Sequence, residues 1–292
     1  MLRRCLDSIE FRDDVEVIVV DDGSDEQAEE ELKRIESEYR IKLIREEHVN
    51  AGHARNTGLL SASGEWIVFA DADDRFVAGA FGRFDALVCD DADVVYFNVC
   101  DSRHEGRVMV LGNRSFMFNR FFKALADGRL TEQYVASKCV TPWGKIIRRE
   151  FIVSHGIRFE SVMFSNDLLF NAMVVCARPR MKFCHEPLYV LYDNTDGALT
   201  THLSDEAVVT RYRVCRRTNR YYRQHGLSGC CLNLALYFNW AKKRMSAARL
   251  CLIADYLFGL VFLEGADDKE NERMLRSLYD KHLNDNVVQQ IS

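Results

Sequence analysis

The first ninety or so residues alternate between two hydrophobic periods. Short apolar runs of strand character occupy residues 15–20 (VEVIVV), 41–44, 66–70 (WIVFA) and 94–99, and segments with helical spacing lie at 25–39, 51–62 and 79–90. Strands that alternate with short helices are typical of right-handed βαβ units. The pattern predicts an α/β fold with a Rossmann-like, mostly parallel sheet flanked by helices.

Further along the chain the pattern changes. Between about residues 100 and 195 it is mixed, with strands predicted at 107–111, 145–148 and 188–192 and a helix at 116–126. Beyond residue 200 only helices are predicted, at 211–224, 232–245, 247–263 and 269–283. We therefore place a domain boundary near residue 200, with one domain at 1–200 and a helical C-terminal appendage at 201–292.

Composition and charge argue against some classes of protein. The 292 residues are 48% hydrophobic, which is enough for one large core, and the net charge of −5 argues against a protein that coats nucleic acid. No signal peptide is recognisable, and the longest apolar stretch, residues 250–263, is too short to span a membrane and contains Asp255. We expect a cytoplasmic protein without a nucleic-acid partner.

The ten cysteines follow no metal-binding or disulfide pattern. No CxxC pair occurs, and most of the cysteines lie in apolar or helix-like stretches. Free, buried thiols in a reducing compartment are the favoured interpretation, and a zinc site or a disulfide framework is the alternative.

Acidic residues follow two of the predicted strands. Asp21 and Asp22 end the first strand, and Asp71, Asp73 and Asp74 follow residues 66–70. Because ligands of open parallel sheets bind beyond the carboxyl ends of the strands, we expect both clusters to face one crevice. Crowded carboxylates repel one another, and Mg²⁺ or Mn²⁺ would offset that repulsion. The alternative is that each Asp only ends a strand or caps a helix.

A glycine-containing segment between the two clusters opens a predicted helix. It reads NAGHARNTG from Asn50 to Gly58 and contains Arg55. Helix N-termini attract anions, and an arginine adds a forked donor for a phosphate.

Four segments together resemble family 2 of the inverting glycosyltransferases, which have the GT-A fold and include many bacterial enzymes of surface-polysaccharide synthesis. They are VIVVDDGSDE, NAGHARNTGLLSASGEWIVFADADD, WGKIIRREFI and FSNDLLF, in the family's order and approximate spacing. The resemblance covers roughly residues 2–190. It implies transfer of a sugar from a nucleotide sugar, expected to be a UDP-sugar, to a glycan or lipid-linked acceptor hydroxyl with inversion.

The resemblance also implies roles on the donor side. Asp21 or Asp22 matches the acid that recognises the nucleotide base, and Arg55 matches the arginine that contacts the nucleotide. Asp71 matches the acid that contacts the ribose or sugar. Asp73, with Asp74 as its neighbour, matches the acid that holds a divalent metal, Mn²⁺ or Mg²⁺, on the diphosphate.

On the acceptor side, Asp167 matches the family's catalytic base. The family's Glu-Asp pair reads Asn166-Asp167 here, so we expect the base to be retained and the acceptor contacts to differ. Trp143 and Lys145 match a segment near the acceptor cleft, where either could equally be structural, and packing is the favoured role of Trp143. An ionised carboxylate can remove the proton of an attacking hydroxyl.

This sequence departs from the family at its start. Family members begin with a central strand before the helix that LRRCLDSI resembles, and here that first strand is missing. Three explanations compete, namely a wrongly assigned start, a shortened sequence and a loss of activity, and the first two are favoured. The rival functions are therefore an inactive nucleotide-sugar-binding or scaffold protein and another nucleotide enzyme, although no GxGxxG or GxxxxGK[ST] loop supports the latter.

Basic residues accumulate in the first helix predicted after residue 200. A solvated helix face is the favoured explanation, and peripheral contact with anionic lipid at the inner face of a membrane is the alternative. The residues are Arg211, Arg213, Arg216, Arg217, Arg220 and Arg223.

Overall fold

A computed structural model describes residues 1–88, 91–102, 114–192, 204–235, 237 and 246–258. The predicted α/β class is confirmed. The strands are Ile18–Asp22 (β1), Lys42–Glu46 (β2), Trp66–Val68 (β3), Arg75–Phe76 (β4), Val94–Asp101 (β5), Lys145–Arg148 (β6) and Met181–Leu191 (β7). The helices are Leu2–Asp7 (α1), Glu26–Glu38 (α2), Ala51–Ser61 (α3), Ala80–Leu87 (α4), Arg114–Ala126 (α5), Glu132–Lys138 (α6), Arg149–Ser154 (α7), Asp167–Cys176 (α8), Asp205–Gln224 (α9) and Ala247–Phe258 (α10).

The strands form two sheets. Strands β1 and β2 pair in parallel, and the other five lie in the order β3-β6-β5-β7-β4. Strands β5 and β7 are parallel, β6 is antiparallel to β3 and β5, and β4 is antiparallel to β7. Strands β3, β5 and β7 thus share one direction, and β4 and β6 run in the opposite direction. The prediction of a mostly parallel sheet is confirmed. Within the described residues no strand joins β1 to β3, so the two sheets share no ladder of hydrogen bonds.

The local sequence accounts for several element boundaries. Asp25 caps α2 by accepting a hydrogen bond from the Ala28 N–H at 2.9 Å, and Leu32 and Ile35 form the buried stripe of that helix. The first strand begins at Ile18 and not at the predicted Val15, because the Val15 N–H bonds to the Arg12 carbonyl in a turn.

Other elements differ from the sequence prediction. The strand predicted at 188–192 is the end of the longer β7, and β4, α6 and α7 were not predicted. Thr131 caps α6 through the Tyr134 N–H, a local signal that the periodicity alone does not reveal. The predictions at 107–111 and 269–283 lie outside the described residues, as does most of 232–245.

Strand β5 forms the centre of the core. All eight of its residues are buried, as expected for a strand covered on both faces. Trp143 is 1% exposed and stacks on Tyr189 of β7 with ring centroids 5.9 Å apart, so its packing role is confirmed. Phe159 and Phe170 stack at 3.9 Å and connect the segment before α8 to that helix.

The C-terminal helices pack against the rest of the described chain. Helix α9 lies on α8, and Arg249 of α10 pairs with Asp205 at the start of α9 at 2.6 Å. The boundary near residue 200 stays a prediction. In the ranges that the structure covers, no helix is long and apolar enough to cross a membrane.

The described cysteines agree with the expectation of free thiols. Cys5, Cys100, Cys139, Cys176, Cys184, Cys215 and Cys230 are free and buried, and Cys231 is free and half-buried. No disulfide joins them, and the acidic cluster that follows β3 is the one potential metal-binding group in the described part of the chain. Cys89 and the side chain of Cys251 lie outside the description.

Candidate active site

Three carboxylates converge where the chain leaves β3. One oxygen from each of Asp71, Asp73 and Asp74 lies within 4.8 Å of the others. The end of β7 holds this turn in place: the Asp71 N–H donates to the Tyr189 hydroxyl at 2.8 Å, and the Tyr192 N–H donates to Asp74 Oδ1 at 2.8 Å. The two residues predicted as metal ligands, Asp73 and Asp74, therefore lie together with the predicted sugar contact, Asp71.

The electrostatics of this cluster suit a hard cation. Burial and, to a smaller extent, the nearby Asp71 and Asp73 carboxylates raise the pKa of Asp74 to about 7. Clustered carboxylate oxygens are the donor set that Mg²⁺ and Mn²⁺ prefer. The residues present thus fit the divalent metal that the sequence predicts.

A cation from the first helix lies beside the cluster. Arg4 donates to the Asp73 carbonyl oxygen, and its guanidinium lies 3.5 Å from the centroid of the Tyr192 ring. The position was not predicted, because a single arginine on a six-residue helix carries no local signal of a role. Arg4 thus contacts both the backbone of the acidic turn and the ring of Tyr192, whose N–H donates to Asp74.

The acids that end β1 contact the turn and the loop that follow the strand. Asp21 is buried, accepts a hydrogen bond from the Ser24 N–H at 3.1 Å and lies 3.5 Å from Arg45 Nε. Asp22 accepts from the Val49 N–H at 2.8 Å, so it holds the loop that leads into α3. Gly23 adopts a φ of +74°, and a Cβ there would lie 2.6 Å from the backbone nitrogen of His48. Both features favour glycine at this turn.

Helix α3 begins against the segment that precedes α8. Asn50 caps the helix through the His53 N–H at 3.0 Å, and its own amide donates to the Ser161 hydroxyl at 3.0 Å. A Cβ on Gly52 would lie 2.1 Å from the Glu160 carbonyl oxygen. Gly52 of the helix-opening segment is therefore required for the close approach of α3 to the segment before α8.

Arg55 connects the acidic cluster to the start of α8. Its Nη2 donates to Asp71 Oδ1 and its Nη1 to Asn166 Oδ1, both at 2.8 Å. Asn166 immediately precedes Asp167, the first residue of α8. The sequence predicts separate roles for Asp71, Arg55 and Asp167. In the fold Arg55 contacts Asp71 directly and contacts the residue that precedes Asp167.

Asp167 is half-buried among charged groups. Burial raises the pKa of its carboxyl group, the positive charges of Arg55 and Lys145 lower it, and the Asp71 carboxylate raises it. Ser165, two residues earlier, adopts a φ of 60°, a conformation that non-glycine residues rarely adopt. Backbone strain of this kind is concentrated at functional sites.

The sequence of residues 1–153, just over half of the 292-residue chain, matches the family model described as Glycosyl transferase family 2. The chain belongs to glycosyl transferase family 2. The resemblance that the four segments predicted is thereby confirmed.

A curated relative of this family 2 chain is the uncharacterized glycosyltransferase EpsJ of Bacillus subtilis. The two are 27% identical over 247 residues, which cover 79% of this chain and 68% of the relative. Two further curated relatives are longer, and the chain spans 29% and 55% of their length.

Solved structures share the fold. The chain resembles S. aureus TarS in complex with UDP-GlcNAc, with a TM-score of 0.58, 17% identity and coverage of 96% of this chain and 77% of that one. It also resembles the mannosyltransferase PcManGT from Pyrobaculum calidifontis in complex with GDP-Man and Mn²⁺, with a TM-score of 0.54, 18% identity and coverage of 97% and 83%.

Two of the basic residues of α9 contact the segment that precedes α8. Arg217 Nε lies 3.0 Å from Glu160 Oε1, and the Arg211 guanidinium lies 4.6 Å from the centroid of the Phe164 ring. Both partners belong to the segment before α8. The interpretation of a uniformly solvated helix face is therefore wrong for these two arginines, whereas Arg220 and Arg223 are exposed as expected.

Proposed function

We propose that this family 2 chain transfers a glycosyl group from a nucleotide sugar, and specifically a UDP-sugar, to an acceptor hydroxyl with inversion. The observation that carries the proposal is the bridge formed by Arg55, which contacts Asp71 and Asn166 at 2.8 Å each. This bridge supports a single site that contains both Asp71 and the carboxylate of Asp167.

The donor would lie between β1 and the acidic turn. In this proposal Asp21 and Asp22 recognise the nucleotide base, and Arg55 and Asp71 contact the nucleotide and sugar. Asp73 and Asp74 would hold Mn²⁺ or Mg²⁺, which supplies neutralisation of the leaving diphosphate. The proximity of the three acidic side chains supports this assignment.

Asp167 would act as the general base. Its carboxylate accepts the proton of the acceptor hydroxyl as the hydroxyl oxygen attacks the anomeric carbon, and the bond from that carbon to the diphosphate oxygen breaks. One displacement from the opposite face inverts the anomeric centre, without a covalent sugar–enzyme intermediate. Arg55 and Lys145 support the ionised form of Asp167 electrostatically.

Titration calorimetry with UDP tests the donor site. UDP should bind with Mn²⁺, lose most of its affinity with EDTA, and bind weakly to Asp73→Ala. Asp127→Asn, which changes an exposed carboxylate paired with Arg129, should bind as the wild type does. Equal UDP affinity with and without metal in all these variants would contradict the metal assignment.

A screen of UDP-sugars with glycan and lipid-linked acceptors tests the reaction itself. The product should have the opposite anomeric configuration to the donor when examined by NMR, and Asp167→Asn should abolish transfer while UDP still binds. Retention of configuration would overturn the proposed mechanism. A folded chain that binds UDP but transfers no sugar would instead support the rival function of an inactive binding protein.

The cellular setting that we propose is cell-surface polysaccharide synthesis, with the acceptor presented at the inner face of a membrane. The exposed Arg220 and Arg223 of α9 support peripheral contact with anionic lipid. Co-sedimentation with vesicles that contain anionic lipid should exceed that with neutral vesicles, and the double variant Arg220→Gln, Arg223→Gln should lose the difference. Equal sedimentation with both vesicle types would contradict membrane contact.

A further inference from the structure

Lys145 is a fully buried cation at the centre of the fold. Its relative exposure is 0%, and its Nζ donates to the Cys139 carbonyl oxygen at 2.6 Å and to Asn171 Oδ1 at 2.5 Å. The Tyr96 ring centroid lies 5.5 Å from the ammonium. Both hydrogen-bond acceptors are neutral, so the local contacts do not offset the cost of burying the charge.

The position of Asn171 connects this lysine to the proposed base. Asn171 lies four residues after Asp167 on α8, and residues with this spacing share one face of a helix. The Asn171 amide also donates to the Ala136 carbonyl oxygen at 3.1 Å. Lys145 therefore ties β6 and the end of α6 to the face of α8 that carries Asp167.

The charges of Lys145 and Asp167 also affect each other. Burial lowers the pKa of Lys145 to about 8, and the Asp167 carboxylate acts in the opposite direction. The ammonium remains charged at neutral pH, and it lowers the pKa of Asp167, which burial alone would raise.

We infer that Lys145 is a positioning residue for Asp167: it anchors helix α8 through Asn171 and supplies an internal positive charge that keeps the Asp167 carboxylate ionised. This inference rests on the proposed function to the extent that Asp167 is the general base. The electrostatic effect itself can be measured without substrate.

Several groups face the two residues from the neighbouring elements. Around Asp167 they are Arg55 of α3, Asp71 after β3, Lys145 of β6 and Tyr237. Around Lys145 they are Cys139, Tyr96 of β5 and Asn171 of α8. Arg55 also contacts Asp71, so its removal would disturb the donor side. Lys145 is the cation whose removal leaves the donor contacts in place.

The chain offers a matched control in Lys138. Its Nζ also donates to two backbone carbonyls, those of Cys230 and Cys231, at 2.9 and 3.0 Å, and burial likewise lowers its pKa. The charged or titratable groups that act on it are Cys215, Cys230 and Cys231, and Asp167 is not among them.

The test is a ¹³C-carboxyl NMR titration of the metal-free full chain with labelled aspartate, with the Asp167 signal assigned from Asp167→Asn. In Lys145→Met the pKa of Asp167 should rise by about one unit, which corresponds to about a tenfold change in its ionisation constant. In Lys138→Met it should stay at the wild-type value. An unchanged pKa of Asp167 in a folded Lys145→Met chain would overturn the inference.

A second variant covers the case in which Lys145→Met does not fold. Lys145→Gln keeps a polar donor toward the Cys139 carbonyl and Asn171 Oδ1 and removes only the positive charge. The pKa of Asp167 should rise in this variant also, and a value equal to that of the wild type would count against the inference.

Activity then separates the inference from the proposed function. The probe is UDP release from UDP-GlcNAc with Mn²⁺, measured from pH 5.5 to 8.5 with UDP affinity as a parallel readout. Suppose that Asp167→Asn retains full UDP release while Lys145→Met shows the expected rise in the pKa of Asp167. The assignment of Asp167 as the base then fails, and the charge coupling between Lys145 and Asp167 stands. If Asp167→Asn is inactive and Lys145→Met keeps the wild-type pH profile, the inference fails and the proposed base stands.

Discussion

Arg55 and Asn166 form a 2.8 Å hydrogen bond across 111 positions of the sequence, and the same guanidinium holds Asp71 at an equal distance. The residue that follows Asn166 is the proposed base. The forked geometry of arginine makes this dual contact, which one ammonium group cannot reproduce with the same directions. One side chain therefore joins the proposed donor contact Asp71 to the residue beside the proposed base.

The first prediction concerns Arg55→Lys. The substitution keeps the charge but loses one arm of the fork, so we expect UDP to bind about tenfold more weakly, or ~1.4 kcal/mol, and the transfer rate to fall further. Calorimetry and initial rates measure the two effects. Arg129→Lys, at an exposed arginine, is the control and should match the wild type. Unchanged affinity and rate in Arg55→Lys would argue against the bridge as a functional contact.

The second prediction concerns the departure from the family pair at Asn166. A glutamate in Asn166→Glu would place a negative charge beside Arg55 and Asp167. Because a like charge disfavours the ionised carboxylate, the pKa of Asp167 should rise and the acid limb of the pH–rate profile should move to higher pH. Asn166→Gln is the neutral control, and it should keep the position of the limb. A profile that moves to lower pH with Asn166→Glu would contradict this account of the charges.

The third prediction uses two helical glycines. In Gly52→Ala the new Cβ would lie 2.1 Å from the Glu160 carbonyl, so the segments must separate, at a cost of roughly 1–3 kcal/mol in the free energy of unfolding. Gly82→Ala on α4 meets no atom within 4 Å and should stabilise the chain by roughly 0.5–1 kcal/mol. Urea unfolding measures both. Equal stability of the two variants would show that the close approach at Gly52 is not required.

The fourth prediction concerns alkaline pH. Burial raises the pKa of the Cys139 thiol from 9.0 to about 12, so the unfolded chain loses this proton first as the pH rises. The stabilising contribution is fully present below pH 9 and is lost towards pH 12. Between pH 7.5 and 10.5 this one thiol should remove ~2 kcal/mol from the free energy of unfolding.

The variant Cys139→Ala isolates that contribution. Measured by urea unfolding at pH 7.5, it reports the loss of packing alone, because the thiol is protonated in both states of the wild type. At pH 10.5 the wild type has lost the contribution of the thiol proton, whereas Cys139→Ala has none to lose. The difference between their free energies of unfolding should therefore shrink by ~2 kcal/mol. A difference that is the same at both pH values would exclude this thiol as a source of alkaline instability.

The acidic cluster after β3 could be predicted from the sequence because its signals are local. Asp71, Asp73 and Asp74 lie within four consecutive positions after an apolar run, and a strand that ends in acids places them at one edge of a sheet. The metal-ligand roles of Asp73 and Asp74 stay predictions, but the proximity of the three side chains agrees with them.

Contacts between distant segments could not be predicted in the same way. Arg4 beside Asp73, the Tyr189 hydroxyl on the Asp71 N–H, and Arg217 on Glu160 each join positions more than fifty residues apart. No periodicity or motif encodes such pairs, because each depends on how α1, β7 and α9 pack on the rest of the molecule. For this reason the sequence favours a solvated face for the basic residues of α9. In the structure, two of them contact the segment before the proposed base.

By itself the sequence determined the alternation of strands and helices, the acids at the strand ends and the family, because hydrophobic period and short motifs are properties of neighbouring residues. The tertiary structure alone decided the reversed directions of β4 and β6, the bridge from Asp71 through Arg55 to Asn166, and the burial of Lys145 behind α8. These features arise from long-range packing and from the exclusion of water, which act only once distant segments meet.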